Sequence, residues 1–517
     1  MTTSLRQLAV CCVLMLFWLP GQAQDAQWFG LPLPYGLSDP HQPTLIIGDD
    51  VGPQPINFDP AMPRREKLQG EQIHTILERI VGFSRQSYQA GDRMWGRIAG
   101  YPGFLEVIQW AADEFSDAGI EQVSVDPVDD SHPLWIPLDW SVRLRGPGPD
   151  IALESAFPQR GSPTVAGTLE APVVFVGSGA AADLAGREIA GHIAVVHNKP
   201  DPGLYHSRNS LDELVARRPA AIMVVVELPG NMQSIDACVR SVPEPQRIPC
   251  FFLGGADGQF LEAALNAVAR DGADPLSMAI QLTTESIQSS AANAVAILPG
   301  SKVPGEIIVV NAHADGYFEA ASDNGDGLAV LVALARHFAQ PEFRPRRTLV
   351  FVAASGHHTI NGARAFVEQH PDLIERTLFI LNLEHIAQMN MQTSVSRPAT
   401  GRAGYRELIA DRVEFPQAVG ITVHTPLLMQ IFRDAARLSG KNINTAFDDF
   451  APGDLGGYRN VGVPMAQLIY ASPLYHTSGD VLATVTAPGL ERAAHFFEYV
   501  IRKVDESSRQ DILGIGN

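Results

Sequence analysis

Histidine and acidic residues follow several apolar segments in the second half of this 517-residue sequence. The first of these segments, Ile307 to Val310, is a β-branched run that predicts a buried parallel strand. His313 and Asp315 lie just beyond it, and their alternate spacing places both side chains on one side of an extended chain. Asp323 follows where the strand should give way to a helix. Because zinc takes imidazole nitrogen and carboxylate oxygen as ligands, this stretch predicts a metal site.

Three later apolar segments repeat this arrangement, each with a histidine or an acidic residue within a few residues of its end. The segments and the residues that follow them are Thr348 to Ala354 with His357 and His358, Leu378 to Leu383 with Glu384 and His385, and Val463 to Tyr470 with His476. In open α/β sheets, catalytic groups gather beyond the carboxyl ends of the strands. We therefore expect these side chains to meet at one edge of a single sheet.

The elements that must hold the site are strands alternating with amphipathic helices. Leu328 to Ala335 is an apolar run that predicts a helix packed on the sheet directly after Asp323. The run Phe104 to Ala118 predicts another helix, well before the first of the strands that carry the site. With 45% hydrophobic residues, a chain of this length can bury more than one core, so two or three structural units are expected.

The order of the residues resembles that of the co-catalytic di-zinc aminopeptidases, whose superfamily includes glutamate carboxypeptidase and the transferrin receptor ectodomain. The motifs that carry the resemblance are His313-x-Asp315, Ser322-Asp323-Asn324-Gly325, Gly362-Ala363-Arg364-Ala365-Phe366, Glu384 after Leu-Asn-Leu, and His476 within Tyr-His-Thr. The resemblance covers most of the mature chain. It implies an α/β fold with a central mixed, mostly parallel sheet flanked by helices.

The resemblance also implies a role for each candidate residue and a cofactor of one or two zinc ions. His313 and Glu384 would hold one metal ion, His358 and His476 the other, and Asp323 would bridge them. Asp315 would orient the first histidine through a hydrogen bond. In addition, Gly453-Asp454 resembles the family's loop that lines the substrate pocket. Asp454 is therefore a candidate substrate-binding residue, although a residue that caps or turns a glycine-rich loop would give the same pattern.

The sequence departs from the family at the catalytic Glu-Glu pair, which is replaced by His357-His358. In the family, the first glutamate is the general base and the second is a metal ligand. An imidazole can replace a carboxylate as a ligand, and His357 is the candidate base because an unperturbed histidine titrates near 6.5. Glu319, Asp326 and His385 are nearby reserves for either role, although a packing role would also account for His385.

The function that the resemblance implies is that of a zinc-dependent aminopeptidase, which hydrolyses peptide or aminoacyl amide bonds with metal-activated water. Two alternatives stay open. Loss of the Glu-Glu pair favours a catalytically inactive relative that acts as a binding protein, and the same fold could also support a metal-dependent amidase or cyclase. The net charge of -19, without a basic stripe, argues against a nucleic-acid partner. The oligomeric state cannot be predicted.

The first residues of the chain predict export. Arg6 precedes an apolar core from Leu8 to Leu19, and Gly21-Gln22-Ala23 resembles a signal-peptidase cleavage site. We therefore expect a periplasmic or extracellular protein, and no later stretch is long and apolar enough to span a bilayer. Export would permit a disulfide between Cys238 and Cys250, with a buried pair of free thiols as the alternative.

A stretch with its own strand signals interrupts the peptidase-like pattern and resembles a protease-associated domain. Its apolar runs are Pro172 to Gly177, His192 to His197, Ala220 to Val226 and Pro249 to Gly254. Modules of this kind are thought to shape access or bind partners. The predicted division is residues 1–23 as signal peptide, 24–63 as N-terminal arm, 64–140 as the first part of the peptidase-like domain, 141–290 as the insertion, 291–505 as the metallopeptidase-like catalytic domain, and 506–517 as C-terminal tail.

Overall fold

Two eight-stranded sheets organise the chain, as seen in a computed structural model. The structure describes residues 27–35, 55–129, 133–198, 211–235, 248–356, 358–395, 406–414, 417–423, 425–446, 451–469 and 472–515. The predicted signal peptide, His357 and Cys238 lie outside these residues. The predictions of a cleaved leader, a histidine base and a disulfide therefore remain predictions.

The first sheet, here called the main sheet, is mixed and has parallel strands at its centre. In spatial order its strands are Ile443–Ala446, Gln417–Ile421, Met465–Ile469, Thr377–Leu383, Val303–His313, Arg347–Ala354, Ser290–Leu298 and Gln122–Asp129. The strand Val303–His313 pairs in parallel with both of its neighbours, Thr377–Leu383 and Arg347–Ala354. Antiparallel pairs join the two strands at the far edge, Ser290–Leu298 and Gln122–Asp129, to this centre. The predicted α/β fold with a central mixed sheet is confirmed.

The central strand is buried on both faces because its β-branched residues point alternately to two separate cores. Ile308 and Val310 belong to the larger apolar cluster, whereas Ile307 and Val309 belong to a second cluster on the opposite face. All four side chains are fully buried. A continuous apolar run is the pattern expected for a parallel strand covered by helices on both sides, and it brings His313 to the end of the most protected strand of the sheet.

Helices cover both faces of the main sheet. The α-helices of the described residues are Gly70–Gln89, Phe104–Asp117, Ala181–Leu184, Asp212–Ala216, Gly255–Asp271, Asp326–Phe338, Gly362–Gln369, Pro371–Glu375, Pro426–Ser439, Ala487–Glu506 and Arg509–Leu513. The predicted helices after Asp323 and from Phe104 to Ala118 are both present. The helix Asp326–Phe338 contributes nearly all of its apolar residues to the larger cluster. Its burial fixes the position of the loop that precedes it.

The second sheet lies between the strands Gln122–Asp129 and Ser290–Leu298 in the chain. Its strands in spatial order are Ile151–Ala152, Leu134–Arg145, Ser277–Ile287, Leu169–Phe175, Ile193–Asn198, Ala221–Val226, Cys250–Leu253 and Phe157–Pro158. We call residues 133–287 the inserted unit. The strand Leu134–Arg145 belongs to this sheet, so the predicted boundary at residue 140 falls inside a strand. An apolar cluster containing Trp140, Val195 and Phe251 forms the core of this unit.

Short strands also occur outside the two large sheets. Gly96–Arg97 pairs with Gly316–Tyr317, and Met389–Val395 pairs with Arg406–Glu414.

Cys250 lies within the inserted unit, where burial raises the pKa of its thiol to about 12. Among the described residues, no helix combines the length and the apolar character that crossing a membrane requires.

Candidate metal site

The site begins where the central strand of the main sheet ends. His313 is the last residue of the strand Val303–His313, and its backbone is in parallel register with Ala354 of the neighbouring strand. Its Nδ1 lies 2.9 Å from Oδ1 of Asp315, and both side chains are fully buried. This contact fixes the ring and leaves Nε2 as the atom directed at the next carboxylate. The predicted orienting role of Asp315 agrees with this geometry.

Asp323 lies in a tight loop that several hydrogen bonds hold in place. The carboxylate of Asp480 accepts the backbone N–H groups of Ser322 and Asp323 at 3.0 Å each. The side-chain amide of Asn324 donates to the Leu383 carbonyl at 2.9 Å and so joins the loop to the adjacent strand end. The peptide bond between Asp323 and Asn324 is cis. These contacts orient the Asp323 carboxylate without involving its own oxygens.

Four buried histidines surround the Asp323 carboxylate. Nε2 of His313 is 3.4 Å, Nε2 of His358 is 3.5 Å and Nε2 of His385 is 2.9 Å from Oδ1. Nε2 of His476 is 3.1 Å from the other oxygen, Oδ2. Four segments of the chain that are far apart in sequence therefore meet at one acidic side chain, as the sequence pattern predicts.

The charges of this cluster strongly shift the pKa values of its members. Burial by itself would lower the pKa of His313, but the hydrogen bond with Asp315 and the charges of Asp454 and Glu384 raise it to about 10. Burial would raise the pKa of Asp323, but His358 and His385 hold it well below its usual range. The raised pKa of His313 indicates that the surrounding carboxylates carry excess negative charge. The same charge would favour binding of a metal cation.

Glu384 lies at the end of the strand Thr377–Leu383 and belongs to a buried network of polar side chains. Its Oε2 accepts hydrogen bonds from Asn382 Nδ2 at 2.8 Å and from the backbone of Asp454 at 3.2 Å. Its Oε1 is 3.9 Å from Nε2 of His313. Gly453 has a φ of +64°, and a Cβ there would lie 2.2 Å from Oε2. Only glycine fits this close approach to the carboxylate.

His385 is more closely joined to the cluster than its sequence context indicates. Its φ of +52° turns the chain directly after Glu384, and its ring then reaches Asp323. Its backbone N–H donates to the side chain of Asn324 at 3.3 Å. The charge of Asp323 outweighs the effect of burial and raises the pKa of His385. The donor atom of His385 therefore has metal-ligand spacing from His313 and Asp323, which the packing role that the sequence left open for it does not require.

Asp454 is fully buried beside Glu384. Its carboxylate accepts a hydrogen bond from the side chain of Asn311 at 3.1 Å, and its backbone donates to Glu384. The hydroxyl of Tyr458 donates to the other end of the same asparagine at 3.0 Å. These contacts support a role in holding Glu384, whereas the predicted contact with substrate remains a prediction.

Asp326 and Glu319, the two acidic residues that the sequence offers as alternative bases or ligands, form hydrogen bonds with other parts of the chain. Oδ2 of Asp326 accepts the backbone N–H groups of Ile386 and Ala387 at 3.0 and 2.8 Å, which secures the turn after His385. Burial raises the pKa of Asp326 to about 6. The carboxylate of Glu319 accepts hydrogen bonds from Arg85 at 2.8 Å and from the backbone of Leu482 at 3.0 Å. Both residues position the loops around the site.

Arg97 and Asp480 are supporting residues that the sequence interpretation missed. The guanidinium of Arg97 is fully buried and donates to the carbonyls of Ala314, Glu319 and Ala320. Burial lowers its pKa to about 10 despite the nearby carboxylates. Burial raises the pKa of Asp480 to about 7. The signals available were an arginine among the apolar residues from Trp95 to Ala99, and an aspartate four residues after His476.

The donor atoms fit zinc in type and in spacing. Three overlapping sets of three residues have donor atoms within 4.8 Å of one another, and these sets are His313/Asp323/His385, His313/Asp315/His358 and Asp323/His358/His476. Ligands at 2.0–2.2 Å from a tetrahedral ion would be separated by about 3.4 Å. The distances of 3.1 to 3.5 Å from Asp323 to three of the histidines match this separation.

Aromatic rings lie against the histidines of the site. The ring of Tyr317 is 5.2 Å from that of His358 and 5.1 Å from that of His476, centroid to centroid. Tyr475 stacks on His476 at 3.6 Å and is only half-buried. These rings limit the rotation of the imidazoles and reduce the access of water to them. They leave Tyr475 as the aromatic side chain closest to solvent at the site.

Comparison with known proteins finds a family match for the part of the chain that carries this geometry. Residues 293–501 match the family described as "Peptidase family M28". The matched segment begins in the strand Ser290–Leu298 and ends in the helix Ala487–Glu506, so it contains all of the candidate metal ligands. The resemblance to zinc aminopeptidases that the sequence indicates is confirmed over these residues.

Solved structures of peptidases share the fold. BSAP, a zinc aminopeptidase from Bacillus subtilis, is 16% identical, with a TM-score of 0.59 over 87% of this chain and 99% of that one. A peptidase M28 precursor from Shewanella amazonensis is 16% identical, with a TM-score of 0.59 over 85% and 98% of the two chains. An aminopeptidase from Aneurinibacillus is 17% identical, with a TM-score of 0.53 over 84% and 94%. At these identities the similarity establishes the fold.

Proposed function

Because residues 293–501 match peptidase family M28, we propose that this protein is an exported zinc aminopeptidase. It would hydrolyse peptide or aminoacyl amide bonds. The family match and the fold shared with zinc aminopeptidases support a zinc peptidase. The proposal adds two further properties to that of a zinc peptidase. These are specificity for the amino-terminal residue of the substrate and export of the chain.

The observation that carries the proposal is the Asp323 carboxylate, which lies within 3.5 Å of Nε2 of four buried histidines. A carboxylate with two oxygens can bridge two metal ions. His313 and Glu384 would then hold one ion, His358 and His476 the other, with His385 as a further ligand next to Glu384. This set keeps the order of ligands of the family and adds an imidazole, that of His385, within 2.9 Å of the proposed bridging carboxylate.

The chemistry follows from the residues around the bound metal. When bound, zinc supplies the Lewis acid that activates water and polarises the carbonyl of the scissile bond. Asp315 keeps the His313 ring in the orientation that presents Nε2 to the ion. His357 would take a proton from the attacking water, as the first glutamate of the pair does in the family. Tyr317 and Tyr475 would limit the amount of water that reaches the site.

Export and the role of the inserted unit belong to the same proposal. The apolar segment Leu8 to Leu19 and the small residues that follow it support a cleaved signal peptide. The second sheet supports the interpretation of residues 141–290 as a module resembling a protease-associated domain. Such a module would control the access of peptides to the site, since its residues contact the loops that carry two of the histidines.

The test is the zinc content of the purified mature protein together with hydrolysis of a panel of aminoacyl and dipeptide substrates. We expect about two zinc ions per chain, and we expect His313→Ala to lose both metal and activity. His357→Ala should keep the metal and lose activity, because this residue is proposed as a base. His192→Ala, in the inserted unit, is the matched control and should behave as wild type.

The absent Glu-Glu pair favours a second candidate, a catalytically inactive relative that binds a partner. The same experiment separates the two. Zinc without hydrolysis of any peptide substrate would favour the binding protein, or an amidase or cyclase if other amides are cleaved. If the wild-type protein binds no zinc, the proposed peptidase is refuted.

A further inference from the structure

The two halves of the candidate metal site are held in different ways, and we propose that the inserted unit positions only one of them. We call His313 and Glu384 the first half-site, and His358 and His476 the second half-site. The inference is that Arg160 of the inserted unit sets the zinc affinity of the second half-site. It rests on the proposed function, since it concerns the same metal ligands.

Arg160 reaches the loop that carries His358. Its guanidinium donates a hydrogen bond to the main-chain carbonyl of His358. The turn that contains Arg160 is itself fixed, because the N–H of Gln159 donates to the Cys250 carbonyl at 2.9 Å and the hydroxyl of Ser162 donates to the same carbonyl at 3.0 Å. The position of the His358 loop is thereby tied to a strand of the second sheet.

The loop that carries His476 is tied to the inserted unit at its backbone. The N–H of Ile235 donates to the carbonyl of His476 at 3.0 Å, and the N–H of Ser478 donates to the carbonyl of Gln233 at 2.9 Å. Both Ile235 and Met232 are buried, and Met232 packs in one apolar cluster with Leu474 of the loop. The segment from Met232 to Ile235 therefore adds a short antiparallel bridge to the loop.

Among the described residues, the strand register of His313 and the hydrogen bonds of Glu384 involve residues outside the inserted unit. His313 ends the central strand of the main sheet, and the N–H of Glu384 donates to the Leu468 carbonyl at 3.2 Å within the same sheet. The carboxylate of Glu384 is held by Asn382, a residue of its own strand. Removing a contact made by the inserted unit should therefore change the two half-sites unequally.

Contacts of this kind have a measurable effect on metal binding. Removal of a residue that orients a metal ligand typically weakens binding by 10- to 100-fold. We therefore expect Arg160→Met to weaken one of the two zinc equivalents by about tenfold and to leave the other unchanged. Arg160→Lys, which retains a charged donor, should recover part of the loss.

The experiment is a zinc titration of the metal-free, full-length mature protein against a chelator of known affinity, with cobalt absorption as a second readout of ligand geometry. Arg187→Met is the matched control, because Arg187 donates to carbonyls of Asp183 and Phe175 within the inserted unit. The thermal stability of each metal-free variant is measured alongside, to show that it folds.

A double variant assigns the effect to the second half-site. His358→Ala should remove the same zinc equivalent that Arg160→Met weakens, so adding Arg160→Met to His358→Ala should change zinc binding no further. The inference is overturned if Arg160→Met binds both equivalents as wild type does, if it weakens both equally, or if its effect adds to that of His358→Ala. Failure of wild type to bind zinc would instead refute the proposed function, and this inference with it.

Discussion

Among the described residues, two clusters of buried histidines and carboxylates can be compared, and one of them has the geometry of a metal site. The first surrounds Asp323. The second, which we call the remote cluster, consists of His337, His495, Glu491 and Glu498, with both glutamates on the helix Ala487–Glu506. All four side chains are at most 3% exposed. Burial of histidine and acidic residues together is therefore insufficient to identify a metal site.

The clusters differ in the distances between nitrogen and oxygen atoms. At Asp323, four imidazole nitrogens are within 3.5 Å of the carboxylate. In the remote cluster, Nε2 of His337 is 3.9 Å from Glu498 Oε1, and neither ring nitrogen of His495 has a hydrogen-bond partner among the described residues. The carboxylates of Glu491 and Glu498 contact the arginines Arg64 and Arg502 instead.

The pKa shifts of the two clusters have opposite directions. Charged neighbours raise the pKa of His313 to about 10, whereas burial lowers the pKa of His495 to about 4. The first cluster retains positive charge, and the second excludes it. The comparison teaches that two properties decide which buried histidines can bind a cation. One is the negative charge of nearby carboxylates that no arginine neutralises, and the other is the spacing of the donor atoms.

The largest effect is expected from the residue shared by all four histidines of the site. Asp323→Asn should reduce zinc affinity by more than about 100-fold, since it removes a proposed ligand of both ions and not only a supporting contact. Metal content after dialysis and competitive titration would measure this. Retention of two zinc ions by the variant would contradict the central role of this carboxylate.

A smaller loss is expected from the residue that holds the Asp323 loop. Asp480→Ala removes the acceptor of two backbone N–H groups, so the loop should move and zinc affinity should fall by about 10- to 100-fold. The same titration applies, with thermal unfolding of the metal-free protein as a check on folding. An unchanged affinity would show that the loop holds its shape without this contact.

The remote cluster should respond to pH and not to zinc. The pKa of His495 is lowered in the folded protein, so below about pH 6.5 the unfolded chain binds more protons and stability falls as the pH decreases towards 4. Between pH 6 and 5 this contribution should be about 1 kcal/mol. Urea unfolding at several pH values would measure it, and in His495→Gln the dependence should be weaker by that amount. An equal pH dependence in both proteins would contradict the expected shift.

The smallest effect on metal binding is expected at His337. His337→Phe should leave zinc content and affinity unchanged, because this ring packs against Phe338 and Phe343 and, in the part of the chain that the structure describes, lies outside the sets with metal-ligand spacing. Stability should change only modestly, since an aromatic ring is retained. Loss of zinc from this variant would remove the distinction between the two clusters.

Much of the main sheet and of the site could be predicted because apolar strands end at polar residues in the sequence. The run from Ile307 to Val310 located the central strand, and His313, Asp323, Glu384 and His476 meet where the strand ends were expected to converge. The central strand could be predicted because a continuous β-branched run is typical of a strand that is covered on both faces.

The proximity of His385 to Asp323 could not be predicted because it depends on a backbone conformation that the sequence does not reveal. A histidine with a positive φ is uncommon, and only the turn held by Asp326 and Asn324 makes it possible. Arg97 was missed for a related reason. Its function is to bind carbonyls of a loop more than 200 residues away, and sequence spacing carries no information about such a contact.

The point at which the chain leaves the main sheet to form the inserted unit has a consequence for how this chain folds. Asp129 and Ser290 are directly opposite each other on adjacent antiparallel strands, so a long excursion leaves and re-enters the sheet at a single point. In the topology of the main sheet, the whole unit is equivalent to the turn of a β-hairpin. Closing so long a connection is slow for an unstructured chain. We therefore expect the edge strand Gln122–Asp129 to join the sheet only after the inserted unit has folded and brought its own two ends together.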